Sequence, residues 1–171
     1  MDVASPELET RDEIINKYNN SVIRFYKPDE EYGFMSNFYP SNMVIGGITY
    51  KTVEHYYQWR KFVTRPKIRA KIMKCETAKE VYTLARKYPS LAEPNWLLTR
   101  EVVMYEILKI KFSNTRLRKM LLDTGDAELI ESNPHDSFWG DGYDGYGLNR
   151  LGTLLMRLRK ELAERDRVKS N

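Results

Sequence analysis

The chain has 171 residues, 42% hydrophobic and 30% charged, enough for one soluble domain that buries about two-thirds of the surface its unfolded chain exposes. Its single cysteine, Cys75, excludes an intrachain disulfide framework, and with only His55 and His135 beside it a Cys/His zinc site lacks ligands, which points to a reducing, intracellular compartment. Residues 1–31 carry four Lys/Arg against eight Asp/Glu, a net of −4, leaving 24 against 16, or +8, for residues 32–171, a balance suited to an anionic ligand but without the Lys/Arg block of a nucleic-acid-binding arm.

The chain opens on a polar extension, residues 1–20, with a short helix expected over Glu13 to Tyr18. It has neither the basic region and apolar run of a secretory signal nor any stretch near the ~20 apolar residues of a membrane span. The expected location is the cytoplasm, with the nucleus as the alternative. The folded domain is expected over residues 21–166, followed by a tail, 167–171. It starts with a β-branched and aromatic strand, Val22 to Tyr26. Met43-Val44-Ile45 and Ile48-Thr49-Tyr50 flank Gly46-Gly47, the pattern of a tight hairpin whose two turn residues need positive φ.

Helices dominate after the hairpin. Thr52 caps a helix from Val53 to about Val63, and Pro66 stops its continuation. Thr77 and Glu80 form a capping box for a helix carrying Val81, Tyr82 and Ala85, which ends near Tyr88-Pro89. A helix follows from Leu97 to Phe112, and a short one opened by Ser113 or Asn114 and closed by Gly125. Glu128 to Glu131 alternates as a short strand. Asn149 is expected to cap a last helix whose Leu151, Leu154, Leu155, Leu158 and Leu162 lie opposite Arg157, Arg159, Lys160 and Glu161. Few strands, many helices and no βαβ alternation predict an α+β domain, predominantly helical, with a small sheet that includes the Gly-Gly hairpin.

Three stretches carry chemistry. On the Val53 helix, Glu54, Gln58 and Lys61 stand at i, i+4 and i+7, so one stripe holds a carboxylate, an amide and an ammonium; it is either a solvent face or an inward-facing site. His55 falls between faces and reads as structural or surface rather than catalytic. The segment Phe138-Trp139-Gly140-Asp141-Gly142, continuing to Gly147-Leu148-Asn149, combines a stacking face, glycines that let a backbone approach a ligand, and a helix N-terminus that attracts anions. A Gly/Asp surface loop is the alternative. Between first strand and hairpin, Gly33-Phe34-Met35-Ser36-Asn37-Phe38 offers Asn37 to a sugar or base edge and Phe34 and Phe38 for stacking, or else plugs a small core. Trp96 is either a ligand platform or a core anchor.

Taken in order, Gly33 to Phe38, Thr52-Val53-Glu54-His55-Tyr56-Tyr57-Gln58 with Lys61-Phe62, Trp96 with Arg100, and Phe138 to Gly142 leading to Gly147-Leu148-Asn149-Arg150-Leu151-Gly152 resemble the NADAR family, the "NAD and ADP-ribose related" or YbiA-like N-glycosidases. The resemblance covers about residues 22–163. It implies hydrolysis of an N-glycosidic bond to a ribose, without metal or cofactor. It implies two substrate classes, ADP-ribose attached to guanine, in nucleotides or DNA, which is taken first, and phosphoribosylamino-pyrimidine intermediates of riboflavin synthesis as the alternative; a module that binds ADP-ribose or a nucleotide without catalysis is the alternative of another class. An ADP-ribose-containing small molecule or ADP-ribosylated nucleic acid is thus the expected partner, not a membrane.

Carried over by motif, Glu54 and Asp141 match the family's acidic site residues, Lys61 its lysine, Trp96 and Trp139 its aromatic residues and Asn37 the polar residue of its first motif. Cleavage develops oxocarbenium character at the ribose, which a carboxylate can stabilise while another group handles water or the leaving nitrogen. Lys61 offers a second route through a Schiff base. Gly140, Gly142, Gly147 and the helix N-terminus at Asn149, helped by Arg100 or Arg150, are expected to hold phosphates.

Overall fold

The computed structural model describes residue 10 and residues 21–169; the helix expected over Glu13 to Tyr18 lies outside the described residues. Two small sheets anchor the chain. Strand β1, Val22–Phe25, pairs in parallel with β4, Glu128–Glu131, in the register Val22 to Glu128 through Phe25 to Glu131. The hairpin of β2, Met43–Ile45, and β3, Ile48–Tyr50, is antiparallel. Gly46 and Gly47 turn it with φ of +58° and +77°, left-handed values that a residue with a Cβ resists.

Six helices complete the described fold. Helix α1, Val53–Lys61, is capped by Thr52, whose Oγ1 accepts a hydrogen bond from the His55 amide. Helix α2, Pro66–Lys74, was not expected; its proline occupies the first turn, where no amide donor is needed. Helix α3, Ala78–Ala85, carries the full Thr77/Glu80 capping box. Helix α4 spans Trp96–Lys111, α5 spans Thr115–Leu122 behind the Asn114 cap, and α6 spans Arg150–Lys169. A turn of 3-10 helix covers Gly33–Met35.

Helix α1 packs on α4, and α6 lies on β4. The α6 contact is close: a Cβ on Gly152 would stand 2.0 Å from the Leu129 carbonyl oxygen, so only glycine fits. The main core holds Phe25, Met35, Tyr57, Met104, Leu108, Leu129 and Leu155, and a second cluster of Phe62, Ile68, Ile72, Val81 and Ala85 joins the end of α1 to α2 and α3. Arg159 corrects the expected solvent stripe of the last helix. It is buried, and donates to Thr124 Oγ1 at 2.7 Å and the Ala127 carbonyl at 2.8 Å, fixing the turn before β4. Among the described residues no helix is long and apolar enough to cross a membrane.

Candidate functional site

A cleft of about 970 Å³ opens between α1, α3, α4 and the segment after β4. Of the residues singled out from the sequence, Asn37, Phe38, Glu54, Gln58, Lys61, Trp96, Arg100 and Trp139 line it together. The α1 stripe therefore faces inward. The first motif is fastened to it by backbone: the Glu54 amide donates to the Asn37 carbonyl at 3.1 Å. Lys111 supports that loop from below. It is buried without a carboxylate partner among the described residues, donates to the Ser36 carbonyl at 2.8 Å, and burial pulls its pKa down to about 7.

Glu54 is buried and receives a 2.9 Å hydrogen bond on Oε1 from Gln58 Nε2. Burial pushes its carboxyl up to about 7, against the pull of the Gln58 hydrogen bond and of Lys61. The same burial lowers Lys61, although Glu54 opposes that shift. Tyr57, one turn from Glu54, meets Trp96 at 4.8 Å between ring centroids and Trp139 edge-on at 5.7 Å. Arg100 lies 3.3 Å above the Phe138 ring. One wall is thus aromatic and the floor carries an acid beside a partly desolvated amine.

The structure adds an acid that the motifs did not single out. Glu131, the last residue of β4, lines the cleft, buried, with Oε2 lacking a hydrogen-bond partner among the described residues. Burial first, then the neighbouring charges of Asp136, Glu54 and Asp141, raise its pKa to about 8. The period-2 rule offered the signal: Leu129 and Glu131 share the buried face of a strand that runs exposed, buried, intermediate, buried.

Other expectations are corrected. Asp141 does not line the cleft; its carboxylate takes a 2.7 Å hydrogen bond from Arg24 Nη1. Phe34 is in the core, edge-on to Phe112. Gly140 and Gly147 serve backbone packing: a Cβ on Gly140 would meet the Glu131 carbonyl oxygen at 2.7 Å, and one on Gly147 the Gly140 carbonyl oxygen at 2.5 Å. Gly142 holds φ of +70° within the same turn, against Ser137. None of the three lines the cleft. Asn149 does not cap α6 with its side chain; Oδ1 accepts from the Glu131 amide at 3.0 Å and Nδ2 donates to the Leu129 carbonyl at 2.8 Å, stapling the helix to β4. The amides of Asn149, Arg150 and Leu151 bond the carbonyls of Gly140, Phe138 and Trp139, so the helix start is already occupied by protein acceptors. Arg150 is paired with Glu101 outside the cleft. Of the two non-catalytic readings of His55 the structural one holds: it is buried, with Nδ1 2.8 Å from Thr52 Oγ1 and Nε2 3.2 Å from the Cys75 carbonyl.

The model of the NADAR domain matches residues 24–163. The chain belongs to the NADAR family. The resemblance carried by the four motifs is therefore borne out, as is the mixed fold with few strands. The N-glycosidase YbiA of Escherichia coli is 38% identical over 145 residues, covering 84% of this chain and 90% of that protein. Its solution structure superposes with a TM-score of 0.78 at 37% identity, over 86% of this chain and 88% of that one. A riboflavin biosynthesis protein of Vibrio vulnificus is 43% identical over 143 residues, and the chloroplastic riboflavin biosynthesis protein PYRR of Zea mays 39% over 171. The chain covers only 39% and 27% of the length of these two relatives.

Proposed function

We propose that this NADAR chain hydrolyses the N-glycosidic bond between a ribose and a nitrogen base, with the cleft around Glu54 as its active site. The supporting observation is the Glu54 carboxyl itself, buried against an aromatic wall, ionising at about 7, and sharing a helix face with Lys61. A group poised near neutral pH suits general acid–base work. In this mechanism the bond from C1′ to nitrogen breaks with oxocarbenium character on the ribose, which ionised Glu54 stabilises. Water forms the new C1′–O bond and gives its proton to Glu54. Glu131, mainly protonated at pH 7, supplies a proton to the departing nitrogen, and Tyr57, Trp96 and Trp139 hold the base.

The lowered pKa of Lys61 favours a second route, in which its neutral amine replaces the base at C1′ as a Schiff base on the ring-opened sugar, and water then releases the sugar. The substrate proposed first is ADP-ribosylated guanine, in nucleotides or DNA, and the cleft volume supports it, being near the upper end of small-ligand sites and roomy for a dinucleotide-sized group. The names of the two partial-length relatives favour instead a phosphoribosylamino-pyrimidine of riboflavin synthesis. A chromatographic assay offering ADP-ribosyl-guanosine and the phosphoribosylamino-pyrimidine side by side decides between them. Release of guanosine and ADP-ribose from the first supports the leading proposal; ribose 5-phosphate from the second alone replaces it. Tight ADP-ribose binding with no product from either reduces the chain to a binding module.

A further inference from the structure

Beside its acidic residues the cleft lining carries a group of basic ones. Lys79, Tyr82 and Arg86 stand at i, i+3 and i+7 along α3 and its C-cap, on one side of the helix, and all three line the cleft with Lys27 from the turn after β1. Lys79 Nζ is 5.7 Å and Arg86 Cζ 5.2 Å from the centroid of the Tyr82 ring, and Arg86 Nη1 donates to the Tyr82 hydroxyl at 2.5 Å. Two cations thus converge on one ring. Among the described residues neither they nor Lys27 forms an ion pair, whereas Arg24, Lys51, Arg118, Lys119, Arg150 and Arg157 each have a carboxylate partner. Like charges gathered without a counterion repel, and an anion between them relieves that repulsion through charge-assisted hydrogen bonds.

We infer that Lys79 and Arg86, both set against the Tyr82 ring, together with Lys27 on the lining of the same cleft, form its phosphate subsite. The inference rests on the reading of the cleft as a site for a ribosyl N-glycoside, and it sets the direction of that ligand: the scissile bond lies over Glu54 and Glu131, and the phosphate lies toward α3. The start of α6 is excluded from this role by its protein-bonded amides. The shared chemistry is an anionic phosphate ester, which comes either as the monoester of a phosphoribosyl group or as the diphosphate of an ADP-ribosyl group.

Titration calorimetry on the full chain tests it, with ribose 5-phosphate and ADP-ribose as probes, ribose as the uncharged control, and the variants Lys79→Ala/Arg86→Ala and Lys160→Ala. All three substituted side chains are exposed, and circular dichroism checks that the fold is kept. In the wild type at least one phosphorylated probe binds more tightly than ribose. The double variant weakens that binding by at least about tenfold and flattens its salt dependence, while Lys160→Ala, on the last helix, leaves it unchanged. Loss confined to ribose 5-phosphate marks a monoester site, and a larger loss with ADP-ribose marks a diphosphate site. Unchanged affinity in the double variant, an equal loss in Lys160→Ala, or no preference for phosphate in the wild type would overturn the assignment. Because the readout is binding, the result stands whether or not the chain proves to be a glycosidase.

Discussion

Replacing Glu54 by Gln separates the cost of burying this acid from its use. The carboxyl ionises at about 7 in the folded chain against an ordinary 4.5. Between those pH values the folded chain binds more protons at this site than the unfolded one, so its contribution to stability falls as pH rises through the window. The total loss is about 3 kcal/mol, complete above pH 7. Glutamine has nearly the same shape, still accepts a hydrogen bond from Gln58, and never ionises. Glu54→Gln should therefore match the wild type near pH 4.5 and exceed it by up to about 3 kcal/mol at pH 8, measured by urea unfolding at both pH values with equal m-values. Equal stability at pH 8 would refute the claim that Glu54 is a desolvated acid, and with it the reason for its poise near neutrality.

Sodium borohydride added during turnover should trap a sugar adduct on Lys61 if the Schiff-base route operates; a mass spectrum without the adduct while product still forms leaves the direct hydrolytic route. Gly152→Ala should lower stability by about 3 kcal/mol or more, since its Cβ would overlap the Leu129 carbonyl oxygen, and an unchanged melting temperature would show that α6 does not lie on β4 as described. Lys111→Met should behave oppositely to Glu54→Gln in pH. Folded Lys111 titrates at about 7 instead of 10.5, so wild-type stability rises through that interval as the unfolded chain loses its extra proton. The methionine variant is expected to be the more stable at pH 6 and to lose that advantage by pH 10, and an advantage independent of pH in denaturant unfolding would count against a charged lysine forced into the core.

What was legible in the sequence is local. Gly46-Gly47, the Thr52, Thr77 and Asn114 caps and the glycine at 125 each act within a few residues of the chain, and each is found where the pattern placed it. The α1 stripe of Glu54, Gln58 and Lys61 was also visible as a spacing, although only its packing on α4 shows that it faces a cleft. What escaped is long-range. Arg24 meets Asp141 across 117 positions, so the motif alone presented Asp141 as a free carboxylate. The strand alternation puts Glu131 on one face with Leu129, but that this face is buried shows only once β4 pairs with β1, opposite Phe25, and Asn149 grips the Glu131 amide. Helix α2 was hidden by reading Pro66 only as a breaker, although its position in a first turn makes it a starter. The glycines after Trp139 carried the right residue type for close approach, but what approaches is the protein's own backbone.

The most direct test of the account is product analysis with wild type and Glu54→Gln on the same N-ribosyl substrates. The wild type should release the free nitrogenous product and the sugar phosphate from ADP-ribosyl-guanosine or from the phosphoribosylamino-pyrimidine. Glu54→Gln, folded by circular dichroism, should bind the same substrate and release neither product. Cleavage by Glu54→Gln at the wild-type rate would contradict the assignment of the cleft, and absence of cleavage of either substrate by the wild type would contradict the proposed activity itself.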